Sequence, residues 1–416
     1  MTAINPAAAR LISLLAARDF ATETLTEAEW ESVIDLAQQH NVAPVLYARL
    51  KKRGIMPPPT IAEQLRQIYI AAATRNVLMF HELGRILRAL QAANITVIPL
   101  KGACLAEAVY GNIGLRTMVD VDVLVKPDDF AKASRVLRAY TSEHSLEMEG
   151  ARRATRPVFR HDTQTYHMPH VSIPGGLTVD MHWTIVDPHN HVNFAENELE
   201  QLWLRATPVT IGGIEVLMLS PVDLLLHLCS HASVHHGFAD AGLRNYLDVA
   251  LVIHRYGDVI DWEQLTARAN RWGIANGVRL VLQLAEEWTG VVIPASALSS
   301  LTTAPPDDAT IAWVRHKIWS GCSFELQSDV PRFAGKVRLV DKLGVLRDVL
   351  FPSRVVMARM YHVPEESWRI LCYYPLRCKD LWMRYRQVMW KLLCRDKKLT
   401  TEALQEARLR EYLGWN

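Results

Sequence analysis

The chain has 416 residues, half of them hydrophobic and 22% charged, which excludes a disordered chain and leaves room for two or three domains with cores of their own. Forty-six basic against 44 acidic residues leave a net charge of +2, too small to select a nucleic-acid or membrane partner. Six cysteines without a CxxC pair, no 18-residue apolar run free of charge, and an N-terminus holding two arginines, a proline and an acid in its first 20 residues predict reduced thiols, no integral membrane segment and no secretory signal, hence a cytoplasmic protein.

Residues 1–90 predict an N-terminal helical region. Trp30, Ile34, Leu46 and Leu50 fall at helical spacings, the prolines of "KKRGIMPPPT" (51–60) break the pattern, and a long helix runs from Leu65 to Leu90 with Leu65, Ile68, Ala72, Leu78, Leu83, Ile86 and Leu90 inward. The texture changes at Ile95. "ITVIPLKG" predicts a strand ending in a glycine turn, "ACLAEAVYG" a short helix, "MVDVDVLV" a strand and "KPDDFAKASRVLRAY" a helix. "RPVFRH", "QTYHMPHV" and "LTVDMHW" are strand candidates, with Gly175–Gly176 turning between the last two. Residues 91–215 therefore predict a compact α+β domain with a mixed sheet. Residues 216–300 predict a helical domain, opened by Ser220 as N-cap, Pro221 and Asp223. A Pro/Asp/Thr-rich linker at 301–310 leads into a mostly helical, basic region to 416, loop-rich around 321–365.

The chemistry gathers in "MVDVDVLV". Strand side chains alternate, so Asp120 and Asp122 share one face while Val119, Val121 and Val123 point into the core. Side chains two apart on a strand stand about 6–7 Å apart. Two carboxylates so close repel, and a divalent cation such as Mg²⁺ relieves that. "TVDMHW" supplies a third acid, Asp180, on a second strand, as a two-metal site requires. Upstream, Lys101 and Gly102 end a strand at a helix start, where free N–H groups and a point charge suit phosphate.

Leu100–Lys101–Gly102, Arg116, Asp120–Val121–Asp122 and Asp180–Met181–His182–Trp183, in that order, resemble the DNA polymerase beta-like nucleotidyltransferase superfamily. More closely they resemble a bacterial family of uncharacterised nucleotidyltransferases, over roughly residues 70–260. The resemblance implies a polymerase-beta-like catalytic domain flanked by helical regions. It implies Mg²⁺ or Mn²⁺ held by Asp120, Asp122 and Asp180, and a nucleoside triphosphate, ATP first, whose α-phosphorus is attacked by a hydroxyl or amine with release of pyrophosphate. It offers Lys101, Gly102, Arg116, His182 and Arg244 to the nucleotide. For His182, tuning Asp180, touching substrate and bonding within the fold stay open, and for Arg244 an intrahelical ion pair with Asp248 is the plain account. The superfamily's Gly-Ser is Gly102–Ala103 here, so one phosphate-binding hydroxyl is missing. The acceptor is expected to be a small molecule, peptide or protein rather than nucleic acid, since some members of the closer family are encoded beside peptide-modification genes. Phosphoryl transfer by the same acids and a non-catalytic binding protein are the alternatives.

Asp223, His227, His231 and His235 recur every four residues. On a straight helix they form one face: a pocket wall, a set of structural histidines or a zinc site. Toward the C-terminus, "RILCYYPLRCKDLWMRYRQVMWKLLCRDKK" interleaves basic residues with Trp, Tyr, Met and Leu. It predicts either a helix packed on the body or peripheral contact with an anionic surface.

Overall fold

The computed structural model describes residues 5–16, 25–147, 171–173, 177–186, 192–239, 242–301, 304–320 and, with short interruptions, 344–415. Three short helices, α1 (Pro6–Leu15), α2 (Glu27–Gln39) and α3 (Ala43–Arg53), lead to the long α4 (Pro59–Ala92). The prolines at 57–59 start this helix, because a fixed φ and a missing N–H suit a first turn, whereas α3 has already ended at Gly54, its left-handed C-cap. Leu65, Leu83, Ile86 and Leu90 are buried as the periodicity predicts, and Ile68 and Ala72 are half-buried. Leu78 is 63% exposed, because the inward stripe runs through Asn76, Met79 and Phe80 instead.

The sheet follows: β1 (Val97–Pro99), α5 (Lys101–Ala108), β2 (Asp120–Val125), α6 (Pro127–Glu147), β3 (Val171–Ile173) and β4 (Leu177–His182). Its order is β1-β2-β4-β3, with β2 and β4 parallel at the centre and the outer pairs antiparallel. This is the mixed sheet of an α+β fold. Val121, Val123, Val125, Val179 and Met181 turn one face into the main core, where Met79, Leu83 and Leu87 of α4 and Leu137 of α6 cover it. Val119 does not join them. It precedes the first paired residue of β2 and is 62% exposed. Except for Val171, the strand candidates at 156–161 and 164–171 and the turn at Gly175–Gly176 lie outside the described residues.

Next come α7 (Glu196–Arg205) and a hairpin of β5 (Thr207–Ile211) and β6 (Ile214–Met218). Neither was expected from the sequence. Gly212 and Gly213, at φ +57° and +75°, make the two-residue turn that needs left-handed backbone at both positions. A Cβ on Gly84 of α4 would stand 2.5 Å from the Gly212 carbonyl oxygen, so helix and hairpin meet backbone to backbone.

Ser220 accepts the Asp223 N–H at 3.2 Å and starts α8 (Pro221–Ser230). A π-helical turn, His231–His235, continues it, and α9 (Gly242–Tyr256), α10 (Trp262–Arg271) and α11 (Ala275–Thr289) follow. Two short elements, α12 (Ala295–Ser300) and α13 (Asp308–Ser320), precede α14 (Arg354–Tyr361), α15 (Ile370–Leu393) and α16 (Lys397–Leu413). The chain divides into two units, Met1–Pro305 with Ile318–Gly321, and Pro306–Lys317 with Cys322–Asn416. In the second, Glu406 of α16 accepts hydrogen bonds from Trp313 Nε1 at 2.9 Å and Lys317 Nζ at 2.8 Å. No helix among the described residues is long and apolar enough to cross a membrane.

Candidate active site

Parallel pairing of β2 with β4 sets Asp122 beside Asp180 and Leu124 beside His182. Asp120, Asp122, Asp180 and His182 therefore share the sheet face opposite the valine core. They line a cavity of about 380 Å³ into which α5 brings Lys101, α8 and the π turn bring Leu228 and histidines, and α9 brings Arg244.

Lys101 opens α5 with φ +44°, a left-handed conformation that a residue with a side chain seldom adopts. Its Nζ reaches Asp122 Oδ1 at 2.9 Å, and His182 Nε2 lies 2.8 Å from the same oxygen. Burial alone would push the Asp122 carboxyl up, but the Lys101 charge and the His182 hydrogen bond outweigh it and hold Asp122 well below the ordinary carboxylate value. His182 thus bonds to Asp122, on the neighbouring strand. Asp120 behaves oppositely: burial and then the charges of Asp122 and Asp180 raise it, against weaker pulls from Lys101 and Arg244.

A Cβ on Gly102 would meet Met118 Cγ at 2.8 Å, so only glycine lets α5 sit this close to the strand entry. Ala103 is 1% exposed and belongs to the main core. A superfamily-type hydroxyl there would be buried among apolar side chains.

Arg116 is buried. Its Nε and Nη2 bind the Asp248 carboxylate at 2.9 and 2.8 Å, and Nη1 donates to the Thr117 carbonyl at 2.6 Å. Burial works against its charge, but Asp248 and then Tyr110 outweigh it and raise it above its usual value. Asp248 also accepts the Tyr110 hydroxyl at 2.6 Å. The plain account of Arg244 is overturned at this point: the fork of Arg116 takes Asp248 bidentately, while Arg244 Nη1 donates to the Thr117 carbonyl at 3.2 Å. Burial, then the Arg116 charge, push Arg244 down to about 10. Asn76 on α4 donates to the Arg116 carbonyl at 2.7 Å and fixes the same loop. Tyr110, Asn76 and Asp248 thus build the entry to β2. Sequence reasoning gave none of them this role, because their partners lie at separations of 40 to 138 residues.

The four-residue stripe on α8 splits. Asp223 accepts from Arg205 at 2.8 Å, Arg268 at 2.9 Å and the Ser220 hydroxyl at 2.6 Å, a buried knot joining α7, α8 and α10. His227 is buried, and burial, then the Lys101 charge, push it down to about 3. His231 and His235 reach the cavity, and so does His236.

The aspartate face offers a divalent cation donors of a suitable kind. Its donors are carboxylate oxygens, the set preferred by Mg²⁺ and Mn²⁺. Burial first, and then the charges of Asp122 and Asp180, raise Asp120, and a cation at this face would oppose both. Lys101 and His182 both end on Oδ1 of Asp122. The described side chains already drawn together as a three-donor group are His231, His235 and His236, not the three aspartates.

No curated protein and no solved structure matches the chain. The model of a family described as uncharacterised nucleotidyltransferase matches residues 26–290, from the N-cap of α2 past the end of α11. That span exceeds the motif-bearing stretch 70–260 and takes in every residue of the cavity. The chain belongs to the uncharacterised nucleotidyltransferase family, and is thereby a transferase of nucleotidyl groups in general terms.

Proposed function

We propose that the protein moves a nucleoside monophosphate group, AMP first, from a nucleoside triphosphate to a hydroxyl or amine of a small molecule, peptide or protein. The observation that carries this reading is the parallel pairing of Asp122 with Asp180, with Asp120 on the same face of one cavity. The acceptor oxygen or nitrogen bonds to the α-phosphorus, the bond to the bridging oxygen of the β-phosphate breaks, the acceptor loses a proton and pyrophosphate leaves. When bound, Mg²⁺ or Mn²⁺ supplies charge neutralisation and favours loss of the acceptor's proton. Asp120 and Asp122 would hold the cation that meets the β- and γ-phosphates, and Asp180 would help hold the one that favours deprotonation of the acceptor. Lys101 and His182 keep Asp122 ionised. The N–H groups opening α5 at Gly102, with Arg244 across the cavity, suit the phosphates. Arg116 serves through Asp248, pinning the loop that aims β2.

The test uses the full chain with Mg²⁺, ATP, CTP, GTP and UTP labelled at the α- or γ-phosphate, and panels of hydroxyl and amine acceptors. Label from the α-position on the acceptor, with one pyrophosphate per transfer, is expected, and ATP is expected to lead. Label from the γ-position with a nucleoside diphosphate left behind would replace this reading by phosphoryl transfer. Nucleotide binding without transfer of either label would leave a binding protein.

The basic C-terminal region carries the finer partner reading, peripheral contact with an anionic surface. Trp368 and Trp382 are 70% and 68% exposed, and Leu371 and Met383 are exposed with them beside Arg369 and Lys379. Apolar side chains among cations suit a lipid headgroup layer.

A further inference from the structure

We propose that His231, His235 and His236 form a site for a divalent transition-metal ion of the zinc class, distinct from the aspartate face and opening on the same cavity. The inference goes beyond the proposed transfer and does not depend on it. In "HASVHH" the histidines stand at i, i+4 and i+5. On an α-helix the third would lie about 140° around the axis from the first, and no three-ligand group would form. The chain forms a π turn here instead: the His236 N–H donates to the His231 carbonyl at 3.0 Å, an i→i+5 bond. One turn then ends between four and five residues on, so His235 and His236 both return over His231. Their ligand nitrogens lie within 4.8 Å of one another. The His231 and His235 rings stack at 5.1 Å between centroids and 19°, and the His236 ring stands across both, at 4.3 and 5.0 Å.

The turn is locked in place. The Phe238 N–H donates to the Ala232 carbonyl at 2.9 Å, and Phe238 itself has φ +70°. A left-handed non-glycine residue beside a π turn stores strain, and both features recur at functional sites. Imidazole nitrogens suit zinc-class ions, whereas Mg²⁺ takes oxygen. Zinc bonds imidazole at about 2.0–2.1 Å, which puts two ligand nitrogens about 3.4 Å apart on a tetrahedral ion. Small ring rotations close the difference. Further down α8, His227 has its ring centroid 6.1 Å from that of His231 and is not drawn into the three-donor group, and the Asp223 carboxylate is held by Arg205, Arg268 and Ser220. Three protein ligands leave a tetrahedral ion one open position. All three histidines line the cavity that holds Asp120, Asp122 and Asp180, so the fourth ligand would come from the cavity.

The test is titration of the full chain, free of any histidine tag and stripped with EDTA, with Co²⁺, whose visible absorption reports tetrahedral nitrogen ligation. Displacement by Zn²⁺ follows. One Co²⁺ per chain with tetrahedral bands is expected. His235→Ala, at an exposed position, and His236→Asn should each weaken binding on the order of 100-fold or more, with circular dichroism confirming that both fold. Asp120→Asn should leave the bands in place. Absence of bands at micromolar Co²⁺, bands that survive both histidine changes, or bands lost with Asp120→Asn would each overturn the site. A chain that shows the bands but transfers no label keeps this site and loses the proposed reaction.

Discussion

Asp120 and Asp122 share a face and stand two residues apart, yet the fold treats them oppositely. Lys101 and His182 lower Asp122, so its charge adds stability above the ordinary carboxylate value, and that stability is lost as pH falls through the lower folded value. Asp120 is raised, so its charge costs stability at neutral pH, and the cost disappears as it takes up a proton in acid. Removing Asp120 therefore relieves repulsion, whereas removing Asp122 leaves Lys101 and His182 without their shared carboxylate. Without metal at neutral pH, Asp120→Asn should unfold at the parent's temperature or above it. Asp122→Asn should unfold several degrees lower, since breaking a buried pair costs about 3 kcal/mol. Both should reduce transfer to background. Thermal unfolding beside a pyrophosphate assay checks this, and an Asp122→Asn chain as stable as the parent would contradict it. Arg116 poses the related case of a positioning residue. Arg116→Lys keeps the charge but loses the two-pronged contact with Asp248, and should cost about 3 kcal/mol as that buried pair loosens. On an Asp248→Asn background the same change should cost clearly less, a coupling that a double-mutant cycle reads directly. Additive losses would mean that the pair does not act as a unit.

At the scale of elements, Gly102 decides how closely α5 approaches the loop into β2. Gly102→Ala drives a methyl into Met118, and displacing the Lys101 end of the helix by about 1 Å can cost up to about 100-fold in rate. Adding Met118→Ala makes room and should restore part of the loss in kcat. If the double variant is no faster than the single one, crowding by Met118 is not the cause. The same scale explains what was legible. Strict alternation through Val121, Asp122 and Val123 gave β2 its faces, because a period of two has one reading, and the capping residues of α8 marked its start. That Asp180 stands on a second strand was read from the motif order, but the contacts of Asp122 with Lys101 and His182 were not, since they join residues 21 and 60 positions apart. The hairpin of β5 and β6 was missed although Gly212–Gly213 marks its turn, since its flanking strands are half-polar. The π turn was illegible because "HASVHH" fits an α-helix equally well until the i→i+5 bond is seen. Val119 and Leu78 fit their local periods but lie off the faces that tertiary packing selects.

For the whole molecule, the family match ends at residue 290, but the first unit does not end there. It reclaims Ile318–Gly321. Within that stretch Trp319 sets its ring edge-on to His40 at 4.7 Å and to Trp288 at 5.6 Å. Trp288 is 1% exposed and His40 2%, so Trp319 covers two side chains that would otherwise meet water. A chain ending after Pro305 should therefore lose about 2–3 kcal/mol, since it gives up the buried Ile318 and the half-buried Trp319, although it contains the whole matched region. A chain ending after Gly321 keeps Trp319 and should unfold near the parent's temperature and retain transfer. Flotation with vesicles rich in phosphatidylserine separates the remaining role. The parent should float at low salt and less at high salt. The chain ending at 321 should stay behind, since Trp368, Trp382 and the surrounding cations are gone. Equal flotation of the two chains would move the anionic-surface contact out of the C-terminal region, and equal stability of the two truncations would show that Trp319 adds nothing to the first unit.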